Sequence, residues 1–129
     1  MLPRRRRVQR RRLTTTTRAE VGYSRGAVVK GPDLFGEASF RPYLCLSDGT
    51  HPFADEEVLY AAITTTRRAV AIGLTDEDFV AGGLPRESYV NPWTVVSIRH
   101  ADMIEQEGLL TERTTDTIAE ASAGYLGIR

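Results

Sequence analysis

The chain has 129 residues, a formal net charge of zero and an apolar content of 41%. This length suits one compact domain, and the apolar content lies well above that of disordered proteins. No segment approaches the roughly 18 consecutive apolar residues of a membrane-spanning helix. A single cysteine, Cys45, and two histidines supply neither a disulfide framework nor a thiolate metal site. We therefore expect a cytoplasmic protein with no metal, no cofactor and no membrane partner.

The zero net charge conceals two regions of opposite sign. Residues 1–18 carry eight arginines and no acid, whereas residues 19–129 carry all 17 acids and only nine bases. An acidic region with a single lysine, Lys30, suits solubility at high ionic strength and indicates a salt-loving prokaryotic source.

The Arg-rich start predicts a disordered tail over residues 1–20, followed by one domain over residues 21–129. Two interpretations of this tail remain open. It is either a basic arm that contacts nucleic acid phosphates or the product of a mis-assigned translation start, with the true start near Val21.

The rest of the chain predicts strands first and helices last. Apolar segments bounded by turn-forming residues predict strands at 26–30, 43–46, 58–63, 69–72, 88–90 and 94–98. Thr75 is expected to cap a short turn that ends at Gly82-Gly83, and Asn91-Pro92 predicts a turn between the last two strands. Residues 101–107 predict a short helix ended by Gly108.

The last segment predicts an amphipathic helix. Its apolar face has the spacing of a helical repeat, with Thr114 as the expected N-cap and Gly127 after the end; the face comprises Ile118, Ala121, Ser122, Tyr125 and Leu126. These elements together predict a mainly β fold, a small bent barrel of five to seven short strands with a C-terminal helix.

Several short motifs follow one another along this framework. A loop contains Gly36-Glu37, Arg41-Pro42 opens an apolar strand that ends in Ser47, Ile63-Thr64-Thr65 closes the next strand, and Gly108-Leu109-Leu110 precedes the last helix. In order and spacing they resemble the MazF/PemK family of prokaryotic toxin endoribonucleases, over about residues 22–128. The chain departs from the family pattern in a shortened Gly-x-Glu and in an acidic, Pro-rich stretch at 74–93.

The resemblance implies an SH3-like barrel that cleaves single-stranded RNA without a metal. It implies Arg41 and Thr64 as catalytic residues, and its substrate-binding residues would be Gly36, Glu37, Ser39 and Thr65. It also implies a 2′,3′-cyclic phosphate product, a homodimer and inhibition by a cognate antitoxin protein.

Such cleavage uses the RNA's own 2′-OH to attack the adjacent phosphorus. Arg41 can neutralise the growing phosphate charge, because its planar fork stays ionised and grips two oxygens at once. Thr64 can hydrogen-bond the same phosphate or the attacking oxygen. Glu37 would order the loop or accept the proton of the 2′-OH.

Each of these residues also has a purely structural interpretation. Arg41 can be a solvated residue at a strand end, Thr64 part of a β-branched strand terminus, and Glu37 a loop carboxylate paired with Arg41. Trp93 and Tyr89 can stack on bases or pack in the core or a dimer interface.

The alternative function is a barrel of the same fold without catalysis that acts as a binding or regulatory module. The acidic balance of residues 19–129 argues against avid binding of nucleic acid. The one doubled positive charge in that region, Arg67-Arg68, is either a solvated pair or a phosphate contact.

Overall fold

The computed structural model describes residues 22–128, so the predictions for the tail over residues 1–20 and for Val21 lie outside the described residues. One C-terminal helix, α1, spans Glu112–Tyr125, and short 3₁₀ turns lie at Asp76–Asp78 and His100–Asp102. The strands are β1 Ala27–Pro32, β2 Phe40–Cys45, β3 Glu57–Thr64, β4 Ile72–Leu74, β5 Phe79–Gly82, β6 Ser88–Arg99 and β7 Glu105–Leu110. Within residues 22–128, no helix is long and apolar enough to cross a membrane.

All seven strands form one antiparallel sheet in the order β4-β6-β3-β2-β1-β7-β5. The sheet curls into a half-barrel, and α1 packs against β6. The predicted mainly β fold with a C-terminal helix is therefore confirmed.

The central strands are buried on both faces, which explains why they appear in the sequence as continuous apolar runs. Alternate residues enter two separate cores. One core lies under α1 and contains Val28, Leu44, Ala61, Ile63, Val90, Leu110 and Ile118. The other contains Ala27, Val29, Tyr43, Cys45, Val58, Tyr60, Ala62, Ile98 and Met103.

The predicted turn at Asn91-Pro92 is wrong, because β6 runs without a break from Ser88 to Arg99. Ala61 of β3 pairs with Val95, but the next residue, Ala62, pairs with Asn91. Residues 92–94 of β6 therefore have no partner in β3 and form a bulge. Proline is tolerated at a bulge because no ladder hydrogen bond is required of its nitrogen. The carbonyl of Pro92 instead accepts a 2.7 Å hydrogen bond from Ser122 Oγ of α1.

The short helix predicted at 101–107 is also wrong. Only one 3₁₀ turn forms there, and strand β7 follows it, paired with β1 on one side and β5 on the other. Gly108 lies inside this strand rather than after a helix. A Cβ at Gly108 would lie 2.9 Å from the Phe79 ring, so the glycine permits β5 and β7 to pack closely.

The segment between β3 and β6 differs from prediction in detail. The fourth strand begins at Ile72 rather than spanning 69–72, and Val70 has a positive φ of 61°. Thr75 caps a 3₁₀ turn as predicted, but the chain then enters β5. Gly82 ends β5 with a φ of 66°, and a Cβ there would collide with the carbonyl oxygen of Glu107.

Helix α1 is confirmed, although its N-cap is Thr111 rather than Thr114. The Thr111 Oγ1 accepts a 3.1 Å hydrogen bond from the Thr114 backbone N–H. Ile118 is fully buried as predicted, whereas Tyr125 at the end of the predicted apolar face is 53% exposed.

Candidate functional site

Arg41 lies in β2, and its side chain is held at two points. Its Nε donates a 2.9 Å hydrogen bond to Asp33 Oδ1, and its Nη1 donates a 3.0 Å hydrogen bond to the backbone carbonyl of Ile63. Only 21% of the side chain is exposed. The guanidinium is therefore fixed before any ligand arrives, which is the condition under which electrostatic stabilisation is most effective.

Asp33 forms the other half of this arrangement, with a side chain that is only 2% exposed. Its Oδ1 also accepts hydrogen bonds from the backbone N–H groups of Phe35 at 3.0 Å and Gly36 at 3.1 Å. The hydrogen bond from Phe35, followed by the hydrogen bond and charge of Arg41, holds the pKa of Asp33 below its usual value. The ionised carboxylate therefore anchors both the loop and the arginine.

Strand pairing brings Thr64 to the same place. In the β2–β3 ladder Tyr43 pairs with Ala62, and continuing that register by two residues sets Arg41 opposite Thr64. Arg41, Thr64 and Thr65 line one cavity of about 230 Å³. Thr64 Oγ1 accepts a 3.1 Å hydrogen bond from the Thr66 N–H, which orders the strand end. A fixed guanidinium and a hydroxyl thus share a cavity large enough for a phosphodiester group.

The chain matches no family model and no curated protein. Its structure is similar to those of three mycobacterial proteins. A mycobacterial endoribonuclease in complex with its cognate antitoxin is 27% identical, with a TM-score of 0.60 over 83% of this chain and 97% of that one. A second mycobacterial endoribonuclease is 28% identical, with a TM-score of 0.58 over 83% of this chain and 93% of that one. The Mycobacterium tuberculosis toxin MazF-mt6 is 25% identical, with a TM-score of 0.62 over 81% of this chain and 99% of that one.

These likenesses support the resemblance of the chain to the MazF/PemK-like toxin family. The similarity spans nearly the full length of each of the three proteins, so the whole barrel is shared rather than one motif.

The loop before β2 carries three of the predicted substrate-binding residues. Gly36, Glu37 and Ser39 lie in the 33–39 loop, but none of them lines the cavity, whereas Ala38 does. A Cβ at Gly36 would lie 3.0 Å from Asp33 Oδ2, so this glycine allows the loop to close over the carboxylate. Glu37 is exposed, and the carboxylate that pairs with Arg41 is Asp33.

Two positively charged side chains that the sequence did not indicate, Arg86 and Lys30, line the cavities around Arg41. Arg86 and Ser88 also line the 230 Å³ cavity, and they come from the 74–93 stretch that the sequence marked as a departure from the family. An adjoining cavity of about 300 Å³ shares Arg41 and Arg86 and adds Lys30 and Glu107. Lys30 lies beside Arg41 because β1 pairs with β2. No local motif marks Arg86, Ser88 or Glu107, because the pairing of β6 and β7 with strands distant in sequence brings them to the site.

The aromatic residues and the arginine pair lie elsewhere. Trp93 is half-buried and packs edge-on against Tyr125 of α1, with ring centroids 5.8 Å apart. The Arg68 guanidinium lies 5.4 Å from the centre of the Trp93 ring. Trp93, Tyr89, Arg67 and Arg68 do not line the two cavities around Arg41.

Proposed function

We propose that this MazF/PemK-like chain is an endoribonuclease toxin that cleaves single-stranded RNA by attack of the 2′-OH on the adjacent phosphorus. The O2′–P bond forms as the P–O5′ bond breaks, the 2′-OH loses its proton and the departing 5′-oxygen gains one, so the products end in a 2′,3′-cyclic phosphate and a 5′-hydroxyl. The observation that carries the proposal is the shared cavity of Arg41 and Thr64. The names of the similar structures, two endoribonucleases and a toxin, support the same activity.

In this mechanism Arg41 binds the scissile phosphate and stabilises the charge that grows on its oxygens. Two of its N–H groups are engaged by Asp33 and Ile63, which leaves Nη2 directed to no hydrogen-bond partner among residues 22–128. Nη2 and the second Nη1 hydrogen can therefore contact phosphate oxygens without loosening the side chain. Arg86, which is exposed at the cavity wall, adds a second positive charge.

Thr64 supplies a hydroxyl to the same cavity. Its Oγ1 accepts from the Thr66 N–H, so the hydroxyl hydrogen is available to a phosphate oxygen or to the 2′-oxygen. The gain from holding the 2′-OH in line with the phosphorus comes from orientation rather than from a new nucleophile. No step requires a metal, because the nucleophile belongs to the substrate. Glu37, which is exposed in the loop beside the site, remains our proposal for ordering the RNA or accepting its proton.

We further propose a homodimer and a cognate antitoxin as partners. The antitoxin proposal is supported by the similar mycobacterial endoribonuclease, which is described in complex with its own antitoxin.

The test is incubation of the full chain with a long RNA in EDTA, followed by mapping of fragment ends. We expect discrete fragments with 2′,3′-cyclic phosphate ends from the wild type and at least roughly 100-fold slower cutting by Arg41→Ala. Cutting that persists unchanged in both Arg41→Ala and Thr64→Ala would show that the site is wrongly assigned. RNA that binds without being cut at any salt concentration would instead favour the binding module.

A further inference from the structure

The 300 Å³ cavity beside the proposed phosphate site has a different chemical character. Three of its walls are apolar, formed by Phe40, Leu84 and Pro85. Two of its polar groups, Lys30 and Glu107, carry opposite charges and come from the adjacent strands β1 and β7. A half-buried carboxylate repels a phosphate, and apolar walls form no hydrogen bonds with it. The lining of this cavity therefore indicates a ligand other than phosphate alone.

We propose that this cavity binds one nucleobase next to the cleaved phosphate and selects cytosine or guanine through Glu107 and Lys30. The proposal rests on the proposed RNA cleavage for the position of the phosphate at Arg41, which lines both cavities.

Phe40 provides the surface for stacking. It precedes Arg41 in β2, it is 52% exposed, and its ring lies 5.7 Å from Lys30 Nζ. Unpaired bases of single-stranded RNA stack on aromatic rings of this kind while hydrogen bonds read their Watson–Crick edges. An exposed aromatic ring at the edge of an open cavity is thus placed to receive a base.

Glu107 and Lys30 provide the selection. A carboxylate accepts hydrogen bonds from amino groups, and an ammonium donates to carbonyl oxygens. Cytosine and guanine carry both an amino group and a carbonyl on this edge, whereas uracil lacks the amino group and adenine lacks the carbonyl. Burial raises the pKa of Glu107, and Glu105 adds to the increase, while the charge of Lys30 acts in the opposite direction and favours the carboxylate.

The backbone fixes Glu107 in place. Its carbonyl accepts a 3.2 Å hydrogen bond from the Gly83 N–H, and β7 is paired on both sides. Glu105 offers a matched control because it lies two residues away on the same strand, is more exposed and does not line the cavity. Its carboxylate lies 3.6 Å from Lys30 Nζ.

The experiment measures binding of four deoxyuridine heptanucleotides to the full chain, with dC, dG, dA or dU at the centre. These probes lack the 2′-OH and cannot be cleaved by the proposed reaction. We expect the wild type to bind the dC and dG probes about tenfold more tightly than the dU and dA probes. Glu107→Gln should abolish that difference, Lys30→Met should lessen the discrimination against adenine, and Glu105→Gln should retain the wild-type order.

Equal or undetectable binding of the four probes by the wild type would overturn the proposal. An unchanged preference in Glu107→Gln would also overturn it. So would the same loss of preference in Glu105→Gln, because the preference would then not depend on the carboxylate that lines the cavity. Cleavage of RNA by a wild type that shows no base preference overturns the base site and leaves the nuclease proposal intact. A base preference that depends on Glu107, in a chain that cleaves no RNA, supports the base site and overturns the nuclease proposal.

Discussion

Replacement of Arg41 by lysine separates the charge of this residue from its geometry. In the wild type, Nε and Nη1 donate to Asp33 and the Ile63 carbonyl, while Nη2 has no hydrogen-bond partner among residues 22–128. A lysine has one ammonium group with three hydrogens, and its stem is shorter and more flexible. It cannot satisfy Asp33 and the Ile63 carbonyl and still grip two phosphate oxygens.

The loss of one preorganised donor at a developing oxyanion costs roughly 10²–10³ in kcat, so we expect Arg41→Lys to cleave about 100-fold more slowly than the wild type. Arg41→Ala should be slower still, because it removes the charge as well. Arg41→Ala also removes the partner of a carboxylate that is 2% exposed, so the lysine variant, which keeps a cation there, is the more direct test.

The assay is single-turnover cleavage of an end-labelled RNA in EDTA, with the folded fraction of each variant measured by thermal unfolding. Arg113→Ala is the control for a general loss of positive charge, because Arg113 is exposed on α1 and does not line either cavity. A folded Arg41→Lys variant that cleaves RNA at a rate within about threefold of the wild type would refute the proposed role of the planar guanidinium.

The structure gives four further predictions. Thr64→Ser should keep most of the cleavage rate and Thr64→Ala should lower it at least about tenfold, because only serine retains the hydroxyl; equal rates would remove Thr64 from the reaction. Gly82→Ala should destabilise the fold by about 2 kcal/mol or more in denaturant unfolding, because of its positive φ and the collision with the β7 backbone. Gly83→Ala, which meets nothing within 4 Å, should cost less than about 1 kcal/mol. Because hydrogen bonds lower the pKa of Asp33, they stabilise the fold above its ordinary pKa, and this contribution is lost as the pH falls below about 4. Asp33→Asn should therefore unfold with a weaker pH dependence in that range, and an unchanged acid transition would contradict the assignment. If the three cations of the two cavities each contact a phosphate, log K for single-stranded RNA should fall with log salt at a slope near −2, and a slope near zero would exclude such contacts.

Local sequence signals were sufficient for the first half of the barrel. β1, β2 and β3 are short apolar runs ended by turn-forming residues, and their consecutive antiparallel pairing needs only the nearest neighbours in the chain. The prediction of Arg41 and Thr64 comes from the family resemblance, and the β2–β3 pairing sets both residues at the same end of adjacent strands.

The second half depends on partners that are distant in sequence. Asn91-Pro92 gives the same local signal in a turn and in a bulge, and the choice is made by β3, with Ala62 opposite Asn91. A glycine such as Gly108 is compatible both with the end of a helix and with the interior of a strand. Here the pairing of β7 with β1 and β5 places it inside a strand. The contributions of Arg86 and Glu107 to the site depend on the same long-range pairing, so no local pattern could identify them.

The acidic composition of residues 19–129 does not oppose a phosphate site, because only charges close to the bound phosphate affect its binding strongly. At physiological ionic strength exposed charges are screened beyond about 8 Å, and at higher salt the distance is shorter. Three of the nine bases in residues 19–129, Lys30, Arg41 and Arg86, line the two joined cavities. Arg41 is the least exposed to screening of the three, since it is mostly buried and fixed by Asp33. The fold thus concentrates scarce positive charge at one place, and the hydrogen-bonding geometry of that place, rather than the net charge of the chain, determines whether a phosphodiester is bound there.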